Sequence, residues 1–342
     1  MAWLRFKQNL ISMKTSLHVK LRFFYLVFLR AILAPNFFNS RIRLSYFPGR
    51  IPDGLGAQLQ RIIAINGLGW YLKIQVSHSP ISEIAIHPLD NLSPDDYKLM
   101  LVNLNRLIDS TSSIDLSSSR ILEIDNLTPR HFFIALVRSY KNGFPVNLRI
   151  RDSYYLVDAN PGIYQIGITD EMRSCLRELS SVNLSGSIAI HHRHGVGGMA
   201  IQPGQTSPRE VELARYFQPL RDILSNTKND RVIIFTDAPR NHLDFEPPVD
   251  QRRLWQGLPR FENDRMRIDA GQFHELENEF PVLFEYRRGG NPLVSLADLS
   301  SSSCIVLSRS SFGYVAALFA NHSNVWIPKD FWHPRQLGWK TF

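Results

Sequence analysis

Three short apolar runs with no polar interruption constrain this chain most: Ile188-Ala189-Ile190, Val232-Ile233-Ile234-Phe235 and Cys304-Ile305-Val306-Leu307. A strand with one wet face alternates apolar and polar residues, whereas a strand that is apolar throughout must be covered on both faces. Helix-period segments separate these runs, over 209–225, from Pro292 and from Ser311, and a last short run, Val325-Trp326-Ile327, stops at Pro328. Buried strands alternating with helices predict a parallel sheet in an α/β fold. Such sheets take their ligands beyond the carboxyl ends of the strands. Polar clusters fall at that point three times: His191-His192-Arg193-His194-Gly195, Thr236-Asp237-Ala238-Pro239 and Ser308-Arg309-Ser310-Ser311. The working face is therefore expected in the C-terminal half, in an enzyme or a nucleotide binder.

Upstream, a helix over Gly56 to Leu72 follows a glycine loop. A second helix, Ser93 to Ser110, opens on Ser93-Pro94-Asp95-Asp96, which supplies an N-cap, a first-turn proline and acids at the positive end of the dipole. The serine-rich stretch 110–119 reads as a surface loop, and Thr128-Pro129 opens a helix that Gly143 ends. At 342 residues, two lobes are the expected organisation: an N-terminal segment 1–45, a first Rossmann-like lobe over 46–185 and a second over 186–342.

The formal charge of +8 is not spread evenly. Residues 1–50 hold nine Lys and Arg and no Asp or Glu, leaving 30 basic against 31 acidic residues in the rest. The body is neutral and shows no recognition module, so nucleic acid is not an expected partner. Within the tail, Leu21 to Pro35 is apolar and aromatic, but Arg22 and Arg30 cut it into uncharged runs of 7 and 10 residues. A membrane span needs about 20. No small-residue cleavage site follows, so a secretory signal is not expected either. Two readings stand: a basic aromatic helix lying on an anionic membrane surface, or a helix packed on the body with its cations in water. Cys175 and Cys304, the only cysteines, have no ligand spacing for zinc and read as core residues in a reducing compartment.

On an extended strand His191 and Arg193 share one side, and His192 and His194 the other. A metal would need His192 and His194 plus a third ligand, and none lies nearby at a suitable spacing; imidazoles satisfied at a sheet edge account for the pair as simply. Arg193, at a strand end beside glycine, suits a bidentate phosphate clamp, with His191 placed for a base or sugar. Ser308, Ser310 and Ser311 lie at a strand-to-helix turn, where hydroxyls and N–H groups bind anions; a plain serine N-cap is the alternative. There is no GxxxxGK[ST] and no GxSxG, which excludes a P-loop NTPase and a nucleophile-elbow hydrolase. Asp237 suits a base, a ligand contact or a turn.

In order, the motifs resemble those of the fucosyltransferase superfamily, the α1,2-, α1,6- and protein O-fucosyltransferases and their bacterial relatives. Gly54-Leu55-Gly56-Ala57-Gln58-Leu59-Gln60 is similar to the family's G-x-L-G-N-Q-[LM]-x-Q loop, with Ala57 for Asn. His191-His192-Arg193-His194-Gly195-Val196 resembles H-x-R-R-G-D, and Phe235-Thr236-Asp237 resembles [FY]-[ST]-D. Ser308-Arg309-Ser310-Ser311-Phe312-Gly313-Tyr314-Val315-Ala316-Ala317 is close to S-[NK]-S-S-F-S-x-x-A-A. The likeness covers about residues 46–335. It implies a GT-B fold and inverting, metal-independent transfer from a GDP-sugar, GDP-fucose being the family's donor, into a glycan or surface polysaccharide. Arg193 would hold the donor's β-phosphate, His191 the nucleotide, and Ser310 and Ser311 the phosphates. Ser308, Thr236, Phe312, Gly54, Gly56 and Gln58 complete the implied donor site. No cofactor or metal is implied, and the acceptor would be a glycan or a lipid-linked one, met in the cytoplasm at the inner membrane face. Two departures stand out: His194 replaces the second arginine and Val196 the acidic residue. Asp237 and His194 are both candidates for the general base. A non-catalytic descendant that binds nucleotide or glycan as an assembly partner is the rival reading.

Overall fold

The computed structural model describes residues 19–33, 40–47, 53–85, 92–108, 120–182, 184–193, 211–236, 272–287 and 290–342. These fall into two compact units. The first draws its residues from Met1–Ile51, Gln60–Ile81 and Ile108–Thr169, the second from Pro52–Leu59, Ser82–Leu107 and Asp170–Phe342. The division is thus not a single cut in the sequence, and the helix that follows the glycine loop has its first turn in the second unit.

In the first unit, helix α1 covers residues 19–33. Strand β1 is Ile42–Tyr46, followed by helix α2, Leu55–Leu72, and β2, Gln75–Val76. Helix α3, Pro94–Leu107, belongs to the second unit. Then come β3, Arg120–Asn126, helix α4, Pro129–Asn142, β4, Val146–Asp152, and the short helices α5, Tyr154–Val157, and α6, Gly162–Ile166. The sheet runs β2-β1-β4-β3, every pair parallel, with Leu44 beside Leu148 and Leu148 beside Leu122. Ile42, Leu44, Tyr46, Val146, Leu148 and Ile150 are all buried. Ser45 and Asn147, buried on the opposite face, satisfy one another through the Ser45 hydroxyl, which lies 3.0 Å from Asn147 Oδ1. At β1 and β4 both faces are covered, as expected of parallel pairing, while the edge strand β3 is largely exposed. Helix α4 begins and ends where the sequence predicts. Thr128 donates its N–H to His131 Nδ1 at 3.1 Å, and Gly143, at φ 74°, returns its N–H to Ser139 O at 2.9 Å. Helix α1 packs through Leu26, Leu29 and Leu33, spaced three and four apart and almost fully buried.

The second unit continues with helix α7, Asp170–Glu178, and strand β5, Ser187–His192. A 3-10 turn, Leu213–Tyr216, leads into helix α8, Phe217–Asn226, and β6, Arg231–Thr236. Helix α9, Gln272–Glu279, β7, Leu283–Arg287, helix α10, Pro292–Ser300, β8, Cys304–Val306, and helix α11, Ser311–Ala320, follow, and β9, Val325–Ile327, and β10, Lys340–Thr341, close the unit. The α/β class with parallel sheets is therefore as expected. Three elements differ in detail. β5 runs two residues beyond Ile190, taking His191 and His192 into the ladder. The α3 helix stops at Leu107, and the serine-rich stretch after it lies outside the described residues. The helix predicted from Arg209 begins as α-helix only at Phe217, because Pro219 has no N–H to give and fits only where the first turn lacks acceptors anyway. The Ser93 cap is present: Ser93 Oγ accepts from Asp96 N–H at 3.1 Å.

The second sheet runs β10-β9-β8-β5-β6-β7, again all parallel. From β5 the chain steps outward to β6 and β7, then returns to lay β8 on the other side of β5 and steps outward again. The direction of winding reverses between β5 and β8. In open parallel sheets that reversal splays the loops apart at the carboxyl edge and leaves a crevice where ligands bind.

Candidate functional site

The three polar clusters read from the sequence sit on adjacent strands, because β8, β5 and β6 are neighbours and parallel. Their carboxyl ends share one edge, and two of them flank the reversal.

Ser308, fully buried just after β8, ties that edge together. Its Oγ lies 2.9 Å from His191 Nδ1 and accepts the Arg193 N–H at 3.1 Å. Its own N–H donates to His191 O at 2.9 Å. One residue thus fixes the imidazole and the backbone of Arg193, whose side chain is half-buried at the strand end. The next turn starts helix α11. Ser310 is its N-cap, with Oγ accepting from Phe312 N–H at 3.2 Å. The plain N-cap is therefore realised at Ser310, while the hydroxyl proton remains to donate. Ser311 and Gly313, at the first and third helical positions, carry N–H groups with no intrahelical acceptor. They point the positive end of the helix toward the same edge.

Two glycines let this turn close. A Cβ on Gly313 would stand 3.0 Å from His191 Cγ and Nδ1, so the imidazole lies directly against the helix start, its ring centroid 5.5 Å from that of Phe312. A Cβ on Gly56 would run into the Phe312 backbone. The glycine loop of the first motif therefore packs on the turn of the last one. Gln58 secures that loop: its amide donates to Asp53 O at 2.7 Å and Glu83 O at 3.1 Å, while Gly54 O accepts from Ala57 and Gln58 N–H groups. Gly54 also pairs with Ala85 in an isolated parallel bridge.

The opposite face of β5 has a different character. His192 Nδ1 lies 3.2 Å from Thr236 Oγ1, and its ring meets Tyr216 and Phe273 edge-on at 5.9 and 5.3 Å. His192 is thus a core imidazole within an aromatic box, and Thr236 joins it there, away from Ser308. The structure places His192 inside the sheet rather than at an edge, held at Nδ1 by Thr236. Arg309, which the sequence places amid the serines, turns aside: it pairs with Asp330, as does Arg215 at 3.4 Å. Burial alone would raise the Asp330 carboxyl, but hydrogen bonds from Arg309 and Arg215 hold it below the usual carboxylate range. Both cysteines are buried free thiols, Cys304 pushed up to about 12 by burial. Among the described residues no three His, Cys, Asp or Glu side chains gather in metal-holding geometry. Asp237 and His194, with Val196, lie outside the described residues.

Of the implied donor residues, the structure brings His191, Arg193, Ser308, Ser310, Ser311, Phe312 and Gly56 to one place and sets Thr236 on the other face of the strand. Gly313, which packs against His191, is a position that the motifs did not single out.

No protein-family model matches the chain, and no curated protein matches its sequence. Among solved structures, E. coli heptosyltransferase WaaC with ADP-2-deoxy-2-fluoro heptose is similar at 9% identity and TM-score 0.40, over 88% of this chain and 92% of that one. POFUT1 in complex with GDP is similar at 8% identity and TM-score 0.40, over 83% and 95%. NodZ alpha-1,6-fucosyltransferase soaked with GDP-fucose is similar at 11% identity and TM-score 0.36, over 82% and 92%. Similarity at this level transfers no residue role to the chain.

Proposed function

We propose that the chain is a GT-B-like glycosyltransferase that binds a nucleoside-diphosphate sugar at the carboxyl edge of the second sheet. The observation that carries this reading is Ser308 at the winding reversal, fixing His191 and Arg193 beside the N-terminus of α11. A cation on an anchored strand end, two hydroxyls and the N–H groups of a helix start at one sheet edge suit a diphosphate. When the glycosidic bond to the diphosphate breaks, negative charge grows on the leaving group. Preoriented donors stabilise that state more than the ground state. In this reading Arg193 clamps the β-phosphate, Ser310 and Ser311 contact the phosphates, and His191 contacts the nucleotide. The motif resemblance favours a GDP-sugar, GDP-fucose first, with inversion at the anomeric centre and no metal; the product is a glycan or surface polysaccharide. His194 and Val196, standing where the resembled motif has arginine and an acid, favour a second reading, a nucleotide binder without turnover.

Release of GDP from GDP-sugars, measured with a glycan acceptor mixture, separates the two. The enzyme reading expects turnover that survives a chelator and falls about 30-fold or more in Arg193→Ala, as loss of a buried charge clamp costs about 2–5 kcal/mol. Wild-type rates in Arg193→Ala overturn the site assignment. Nucleotide affinity without any GDP release supports the binder.

A further inference from the structure

Helix α1 buries Leu26, Leu29 and Leu33 yet leaves an aromatic face in water. Phe24 is 64% exposed, and Phe23, Val27 and Phe28 are each exposed by close to half. A helix apolar on both sides of its axis is normally covered on both. Phe23, Val27 and Arg30 follow one another at the four- and three-residue spacing of a single helix side. That side leads to a groove of about 490 Å³ lined by Arg30, Gly69, Trp70, Lys73, Ile74 and Gln75. Trp70 stands at the groove 66% exposed, and Arg30 is held over the Tyr71 ring at 4.7 Å.

We infer that this composite surface, α1 with the carboxyl end of α2, docks on an anionic membrane. Phe23, Val27 and Trp70 enter the boundary between headgroups and acyl chains, and Arg30 and Lys73 meet lipid phosphates. Charge decides the occupant. The first 82 residues contain eleven Lys and Arg, against Asp53 as the one acid. A second copy of the chain would bring like charges face to face, whereas an anionic surface complements both the cations and the aromatic residues. None of the helices among the described residues is long and apolar enough to cross a membrane. The inference stands independently of the reaction proposed above.

The test is co-sedimentation of the full chain with vesicles of phosphatidylcholine, with and without phosphatidylglycerol. Binding is expected only with the anionic lipid and to weaken with salt. Phe23→Ser with Val27→Ser is expected to lose about 100-fold, at about one decade for each apolar side chain taken out of the bilayer. Arg30→Gln with Lys73→Asn is expected to lose about 30-fold, and asparagine keeps the left-handed backbone at residue 73, where φ is 58°. Unchanged melting of the variants shows that they fold. Equal binding to neutral vesicles, undiminished binding by the variants, or concentration-dependent dimers that the Phe23→Ser, Val27→Ser pair abolishes would each overturn the inference.

Discussion

Ser308 serves two groups with one oxygen, and removing it takes that partner from both. In Ser308→Ala the Arg193 N–H and His191 Nδ1 lose their shared partner at a buried edge, which costs about 1–3 kcal/mol. Urea unfolding checks that loss, and nucleotide titration is expected to show weaker binding, since the Arg193 backbone would lose one of its anchors. Gly313→Ala acts by volume instead. The added methyl meets the His191 ring at 3.0 Å and must displace it, with an overpacking cost of about 1–3 kcal/mol; a melting scan beside wild type measures it. At this scale the sequence showed the hydroxyls and the arginine, because strand ends and helix starts carry recognisable patterns. It did not show Gly313, since what a glycine makes room for depends on a ring 122 positions away in the chain. Nor did it show that Arg309 turns to Asp330, a pairing made only when the chain beyond β9 folds back.

The elements were legible where local rules suffice. Thr128, Ser93 and Gly143 mark helix ends by their own chemistry, and the apolar runs became β5, β6, β8 and β9. β1, β3, β4 and β7 were not read individually, because they mix polar and apolar residues and owe their pairing to partners far along the chain. His78 makes a prediction at this scale. It lies buried behind β2, accepts Tyr46 N–H through Nδ1 at 3.0 Å, and its Nε2 lies 2.7 Å from Asn66 Oδ1. Burial lowers its pKa to about 4. The unfolded chain takes up that proton near pH 6.5, so this contribution is whole above about 6.5 and is lost as pH falls toward about 4. The loss amounts to about 3 kcal/mol. Unfolding free energies at pH 7 and 4.5, compared between wild type and His78→Gln, check it: the variant is expected to lose less on acidification. Helix α1 is packed through three leucines, as one of the two sequence readings expects, and its aromatic residues stay exposed. Truncation of 1–40 therefore removes part of the core, and surface point variants are the cleaner probes.

For the molecule as a whole, the sequence supplied the α/β class and the carboxyl edge as the working side. It could not supply the order β8-β5-β6, because β5 pairs with a strand more than 110 residues later, and it is that order which brings the three clusters to one edge. The central claim is that this edge is a nucleoside-diphosphate site. Melting of the purified chain with GDP, UDP, ADP or CMP, each at about 1 mM and without metal, tests it most directly. A ligand at ~100 times its dissociation constant adds ~2.7 kcal/mol to the folded state, enough for a clear shift in Tm. The account predicts a shift with GDP that disappears in Arg193→Ala. A shift with UDP or ADP in its place would keep the site and discard the fucosyltransferase likeness. No shift with any of the four, or a GDP shift that Arg193→Ala leaves intact, would contradict the account.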